Sequence, residues 1–184
     1  MRNLIRAAAG CLILAAASGV YAQQTVVYQV DGWPRMSTRA DGKLEAWTFY
    51  MNVQHQASAA AGAGGGAGRP TIAPFTLLVP ATEPLLYFIR ASLRGERLTS
   101  VLIETLRGGA AGKAGGSPAP FAVRLHDVFV TQVELSQSSY AGGGSVSVKL
   151  EAQMVEFFGS SMTPEGKISP ASKAGYDARS GKVF

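Results

Sequence analysis

The fold is decided by the stretch Thr82-Glu83-Pro84-Leu85-Leu86-Tyr87-Phe88-Ile89-Arg90-Ala91-Ser92-Leu93-Arg94-Gly95. It predicts one short helix, because Thr82 offers an N-capping hydroxyl and proline is favoured in a first turn, where its missing N–H costs nothing. Gly95 predicts the point at which the helix stops. Three long alternating segments follow it, so the helix is expected to be embedded among strands.

The helix is expected to bury one side of its surface. Leu86, Ile89 and Leu93 recur at spacings of three and four, whereas Arg90 and Arg94 lie off that line. The spacing therefore predicts that Leu86, Ile89 and Leu93 form the core face of the helix.

The segments after the helix, residues 98–107, 121–137 and 145–158, are rich in β-branched and aromatic residues and are bounded by Gly, Ser and Pro. Within the second, the apolar run Val128 to Val130 interrupts the alternation and indicates a bend or a change of partners. In the third segment, the apolar residues change from even-numbered to odd-numbered positions at Val155. Each segment is predicted to be a strand.

The segments before the helix also predict strands. Residues 25–30 form a β-branched run, and residues 43–53 place Trp47, Phe49, Met51 and Val53 on one face. Residues 71–79 restart a strand, in which Pro74 predicts an edge or a bulge because proline cannot donate to the ladder.

Two segments are predicted to be loops. Residues 57–68 are almost wholly Ala and Gly, and this composition cannot bury enough side chain to offset the entropy of ordering. The residues that contribute most to interface energy are Trp, Tyr and Arg, and this loop has none of them. The loop is therefore also expected to contribute little to a contact between one assembly of the protein and the next. Residues 108–120 separate the next two strands in the same way.

About seven strands and one helix predict a mainly β fold, a small antiparallel β-barrel with one flanking α-helix. An open sandwich is the alternative. From about residue 160 the chain is polar and weakly patterned, which predicts an extended C-terminal tail.

The first 22 residues have the pattern of a secretory signal peptide. A basic start is followed by a short apolar run at residues 7–17 and by the small-residue site Val20-Tyr21-Ala22. The apolar run falls short of the ~20 residues that a spanning helix needs, so no membrane association is expected after cleavage. The sequence thus predicts a signal peptide at 1–22, one domain at 23–184, and a periplasmic or extracellular location.

The composition of the mature domain excludes several classes of function. Removal of residues 1–22 takes away Cys11, the only cysteine, so neither disulfides nor thiol chemistry are expected. It also removes Arg2 and Arg6, which leaves 15 basic against 12 acidic residues and a net charge of +3. That charge is too mild to predict a nucleic-acid partner.

No catalytic, metal or cofactor site is predicted. There are two histidines, His55 and His126, without ligand spacing around either. His126 and Asp127 are neighbours on a strand and point to opposite faces, so they do not predict a triad. Glu134, Glu151 and Glu156 are most simply exposed strand residues.

The order of elements resembles that of the haemolysin-coregulated protein (Hcp) family, the tube subunits of type VI secretion systems. The resemblance rests on diffuse patterns along nearly the whole mature chain: Val27-Tyr28-Gln29-Val30-Asp31-Gly32, Gly42-Lys43-Leu44-Glu45, Glu83-Pro84-Leu85-Leu86, Gly95-Glu96-Arg97-Leu98-Thr99-Ser100-Val101 and Leu125-His126-Asp127-Val128-Phe129-Val130-Thr131-Gln132-Val133. The chain departs from the family pattern at residues 33–37 and 81–84, and in its signal peptide.

The resemblance implies a non-enzymatic structural protein that forms homohexameric rings, which stack into a tube and carry effectors. Its partners would be copies of itself together with secretion-spike or effector proteins. Under this interpretation Thr131, Gln132 and Glu134 are candidate subunit-contact residues. The alternative is an exported monomeric β-barrel binding module that has lost ring assembly, and a secreted hydrolase is a weaker third hypothesis.

Overall fold

The computed structural model describes residues 24–37, 39–57, 67–106, 120–136, 144–161, 169 and 171–184. The predicted signal peptide and most of both predicted loops lie outside these residues. The described chain contains one helix, α1 (Pro84–Arg94), and eleven strands: β1 (Thr25–Val30), β2 (Leu44–Ala46), β3 (Thr48–Tyr50), β4 (Val53–Ala57), β5 (Ala67–Ile72), β6 (Phe75–Pro80), β7 (Arg97–Leu106), β8 (Phe121–Ser136), β9 (Ser145–Gly159), β10 (Ser172–Asp177) and β11 (Lys182–Val183).

Antiparallel pairing runs in the order β2–β1–β7–β8–β9–β6–β3. Trp47 alone separates β2 from β3, and its N–H donates to Leu78 O at 2.9 Å. The strands at the two ends of this order, β2 and β3, are therefore consecutive parts of one bent segment of the chain, and the sheet closes on itself. The predicted small antiparallel β-barrel with one flanking helix is confirmed.

The barrel encloses a single apolar core. Its members alternate along β1, β6, β7, β8 and β9, as period-two patterning requires, and the largest fully buried side chains are Tyr28, Phe75, Phe88, Leu77, Ile103, Leu125 and Leu150. The helix contributes Phe88 to this core, with the ring of Phe88 5.9 Å from that of Tyr28 and 4.7 Å from that of Trp33. These ring contacts join the helix to the chain that leaves β1.

The predicted core face of the helix is wrong. Phe88 and Ala91 are buried, together with Pro84, whereas Leu86 is 64% exposed, Leu93 is 83% exposed and Ile89 is only partly buried. At 100° per residue the apolar arc of this helix is broad enough to offer two alternative stripes. The barrel covers the stripe that carries the aromatic ring of Phe88.

The ends of the helix are only partly as predicted. Gly95 adopts a left-handed conformation with φ of 58°, and the N–H of Glu96 donates to Ala91 O at 2.9 Å, as in a glycine stop. The Thr82 cap is wrong, because Glu83 is the N-cap residue and already has helical dihedral angles without a side-chain hydrogen bond. A capping side chain needs extended backbone at that position.

Several strand predictions also need correction. The ribbon predicted at 43–53 breaks at Trp47, so Trp47, Met51 and Val53 are exposed while Phe49 packs against the core. Pro74 lies in the two-residue break between β5 and β6. Ala57, Ala67 and Gly68, expected in a loop, belong to the β4–β5 hairpin, and residues 58–66 of that loop lie outside the described residues.

Residues 172–183 form a paired hairpin instead of the extended tail that the composition predicts, and residues 162–168 and 170 of that tail lie outside the described residues. β10 pairs with the second half of β9, and β11 pairs with β10. The backbone of Gly175 exchanges two hydrogen bonds with that of Phe184, of 2.7 and 3.0 Å. Backbone pairing thus orders a polar sequence whose side chains carry little apolar signal.

The two stripes of α1 should respond differently to truncation. Phe88→Ala is expected to lower the free energy of unfolding by about 3–5 kcal/mol, because it empties a core site. Leu93→Ala, on the exposed stripe, should change it by less than about 0.5 kcal/mol in the isolated protomer. Chemical denaturation at a concentration where the protein is monomeric measures both, and equal losses would contradict the assignment of faces.

Candidate subunit-contact surface

One side of α1 is apolar and uncovered by the described chain. Leu86, Ile89 and Leu93 lie on it, and we call these three residues the helix face. Beside them runs a shallow groove between the helix and the end of β8, lined by Leu85, Ile89, Ser92, Leu93, Val133 and Leu135. Exposed apolar residues that cluster in this way are typical of a surface that meets another macromolecule.

Two cations flank the helix face. Arg90 and Arg94 are exposed on the next turns of the helix, and neither forms an ion pair with the described residues. A side chain that is charged, exposed and unpaired keeps its full capacity to meet a carboxylate.

A second uncovered surface is the outward side of β3, β6, the first half of β9 and the end of β8, which we call the outer sheet face. The register places its residues in two rows across the strands: Tyr50, Thr76, Lys149, Gln132, and Thr48, Leu78, Ser147, Glu134. Their neighbours in the strands, such as Phe49, Leu77 and Val148, point into the core. No described element covers this face.

The structure brings the three sequence-predicted contact residues to this region. Gln132 and Glu134 lie on the outer sheet face and are exposed. Thr131 is the extra residue of a β-bulge, since Val130 pairs with Leu150 while Gln132 pairs with the adjacent Lys149. The hydroxyl of Thr131 donates to Lys149 O at 3.4 Å. Their role as subunit contacts stays a prediction.

Irregularities in β8 decide which residues point outward. Asp127 has φ of 54°, and on either side of it the buried positions change from Val123 and Leu125 to Val128 and Val130. The Thr131 bulge changes the phase again, so that Val133 packs against the core. The apolar run noticed in the sequence is thus confirmed as the site of a phase change.

The side chain of Asp127 stabilises the first irregularity. Its carboxylate accepts hydrogen bonds from Arg97 and lies 3.5 Å from Arg179 Nη2, in the turn between β10 and β11. Left-handed backbone is tolerated best by Gly, Asn and Asp. The bend in β8 is therefore tied to the C-terminal hairpin.

Glu156 does not lie where the sequence pattern predicts. It was expected to be exposed, but it is only 8% exposed, with Lys173 Nζ 2.6 Å from one carboxylate oxygen and His126 Nε2 2.9 Å from the other. Hydrogen bonding from Lys173, and then from His126, lowers the pKa of this carboxyl below its usual value. The signal in the sequence was weak, because Lys173 belongs to a strand that was not predicted.

The described residues hold no cluster of three or more His, Cys, Asp or Glu side chains that could bind a metal ion. No helix in that same part of the chain is long and apolar enough to cross a membrane. His126 bonds Glu156, whereas Asp127 pairs with arginines. These ionisable side chains therefore take part in structural ion pairs.

Comparison with protein families gives a match over most of the chain. The model of the family described as "Type VI secretion system effector, Hcp" matches residues 36–162. A search of curated protein sequences found no significant match.

Solved structures match the fold at low sequence identity. A type six secretion system protein superposes with a TM-score of 0.76 at 13% identity, covering 88% of this chain and 100% of that one. Hcp1 from Salmonella typhimurium superposes with a TM-score of 0.66 at 15% identity, covering 88% and 99%. A type VI secretion system effector from Yersinia pestis gives 0.59 at 13% identity, covering 83% and 98%.

The lowered pKa of Glu156 predicts a pH-dependent contribution to stability. A carboxyl whose folded-state pKa is depressed stabilises the fold above its unfolded pKa, here about 4.5, and loses that contribution as pH falls through the folded value. Glu156→Gln should therefore cost about 1.5–3 kcal/mol at pH 7, typical of hydrogen bonds to a charged group, and progressively less below pH ~4.5.

Urea denaturation of both proteins between pH 7 and pH 3 measures this difference. Glu96→Gln is the matched control, since Glu96 is exposed and forms no ion pair with the described residues. A stability gap for Glu156→Gln that is the same at pH 3 as at pH 7 would contradict the assignment.

Proposed function

This chain belongs to the Hcp family of type VI secretion system proteins, and on that premise we propose that it is a non-enzymatic ring subunit whose homohexamers stack into a tube and carry effectors. Structural tube proteins need surfaces that meet other copies and need no catalytic centre. Thr131, Gln132 and Glu134 are proposed to contribute to the contacts between subunits.

The observation that carries this proposal is the exposed helix face. Leu86 and Leu93 expose most of their surface, and Leu135 beside them is 53% exposed. At roughly 25 cal/mol per Å² of apolar surface removed from water, covering three such leucines provides a substantial driving force for association. An exposed apolar cluster of this kind supports a surface that meets another copy.

The N-terminal residues add a second element to the proposal. Residues 1–22 are proposed to be a signal peptide that directs the chain to the periplasm or the cell exterior. The signal peptide departs from the pattern of the family, so an exported member would build its rings outside the cytoplasm. Secretion-spike or effector proteins are the proposed further partners.

The same N-terminal pattern favours an alternative function. An exported copy of the fold could act as a monomeric binding module without ring assembly. The two proposals predict different masses for the protein in solution, because only a ring subunit forms an oligomer.

The mature protein should have about six times the protomer mass. Sedimentation velocity and light scattering of residues 23–184 measure it, and electron microscopy should show rings with a central lumen. A single species of protomer mass at tens of micromolar would contradict ring assembly and support the binding module.

The mature chain should begin at Gln23. Val20 and Ala22 satisfy the requirement for small residues before the cleavage site. Mass spectrometry of the protein from the periplasm and medium checks this start, with Ala22→Arg as a variant expected to block processing. Recovery of the wild-type protein solely from the cytoplasm with residues 1–22 retained would contradict export.

A further inference from the structure

A ring places a specific demand on the surface of its subunit. Copies related by rotation about a ring axis meet head to tail, so each interface joins two different surfaces of the same chain. An interface that joins identical surfaces closes as a dimer instead. Given the proposed ring, on which this inference rests, two different surfaces of the protomer must meet.

The helix face and the outer sheet face lie on opposite sides of β8. Val133 and Leu135 line the groove beside the helix, whereas Gln132 and Glu134 belong to the outer sheet face. Consecutive residues of a strand point to opposite faces. The two surfaces therefore point in different directions, as head-to-tail contacts require.

Both surfaces offer exposed apolar area. The helix face presents Leu86 and Leu93. The outer sheet face presents Tyr50, which is 59% exposed, and the partly buried Leu78 beside it on β6. Tyrosine is enriched among the residues that contribute most to interface energy.

The unpaired charges on the two surfaces have opposite net signs. Arg90 and Arg94 flank the helix face, while Glu134 and Glu151 lie on the outward side of β8 and β9. None of the four forms an ion pair with the described residues. Lys149 is also unpaired and lies on the outer sheet face beside these two carboxylates, so that side keeps one net negative charge. Pairing two copies through their helix faces would bring arginines together, whereas pairing unlike faces would bring arginines to carboxylates.

We propose that the helix face of one copy packs on the outer sheet face of the next copy, with Leu86 and Leu93 against Tyr50 and Leu78. Arg90 and Arg94 then face Glu134 and Glu151 at the rim. The residues first expected to form the core of the protomer would form the core of the interface.

The test uses one variant on each surface. Leu93→Asp places a charge on the helix face and Tyr50→Asp places one on the outer sheet face, and both positions are exposed enough to leave the protomer folded. Each variant alone should sediment as a monomer, with circular dichroism and a melting temperature like those of a wild-type protomer. Val183→Asp is the control, since Val183 is 65% exposed on β11 and belongs to neither surface.

Mixing the two variants separates head-to-tail contact from other contacts. Leu93→Asp keeps an intact outer sheet face and Tyr50→Asp keeps an intact helix face, so an equimolar mixture should form a one-to-one heterodimer that cannot grow. Light scattering should show about twice the protomer mass in the mixture.

Charge reversal tests the rim. Arg94→Glu and Glu134→Arg are each expected to weaken association about tenfold or more, and the two together in one chain should recover most of the loss. Dissociation constants at low and high salt measure this, since screening should reduce the coupling.

The outcomes distinguish this inference from the function on which it rests. Wild-type protein that stays monomeric would overturn both the proposed ring and the proposed pairing of surfaces, even if a different protein binds the helix face. Wild-type rings that persist in Leu93→Asp and Tyr50→Asp would overturn the proposed pairing alone. A mixture of the variants that stays monomeric would also overturn it.

Discussion

The pairing of β8 with β9 is the interaction on which the rest of the structure depends. The two strands remain paired from Phe121 and Gly159 at one end to Ser136 and Ser145 at the other. On its second side β9 pairs first with β6, which continues the barrel, and then with β10, which begins the C-terminal hairpin. One long strand therefore joins both parts of the sheet, and its apolar positions cross the core from Val146 to Val155.

A strand of this length can serve a closed barrel only if it curves. Two irregularities in β8 provide the curvature, one at Asp127 and one at Thr131, and each changes the face on which apolar residues lie. The cost of left-handed backbone at Asp127 is offset by its contacts with Arg97 and Arg179. These irregularities also determine that Gln132 and Glu134 point outward, on the side of β8 opposite to the groove beside the helix.

The helix shows how one amphipathic sequence can serve two interfaces. Phe88 and Ala91 bind it to the barrel, and Trp33 packs on its side with ring centroids 5.4 Å from Tyr87. Leu86, Ile89 and Leu93 remain available on the other side. Hydrophobic burial is not directional, so the same spacing of leucines stabilises a protomer core or a contact between protomers equally well. Family membership and the surface charges favour the second use.

The sequence by itself determined the local structure and the class of fold. A β-branched run predicted β1, alternation predicted β7, β8 and β9, and Gly95 predicted the end of the helix. The order of motifs indicated the family, because all these signals depend on neighbours in the chain. Only the tertiary structure decided which stripe of α1 is buried, since the choice between Phe88 and Leu93 depends on the shape of the barrel opening. It also decided that Glu156 is buried and that the C-terminal residues form strands. The burial of Glu156 depends on Lys173, which belongs to a different strand and lies far from it in the sequence. The C-terminal strands depend on backbone hydrogen bonds to β9, which leave little signal in the side chains.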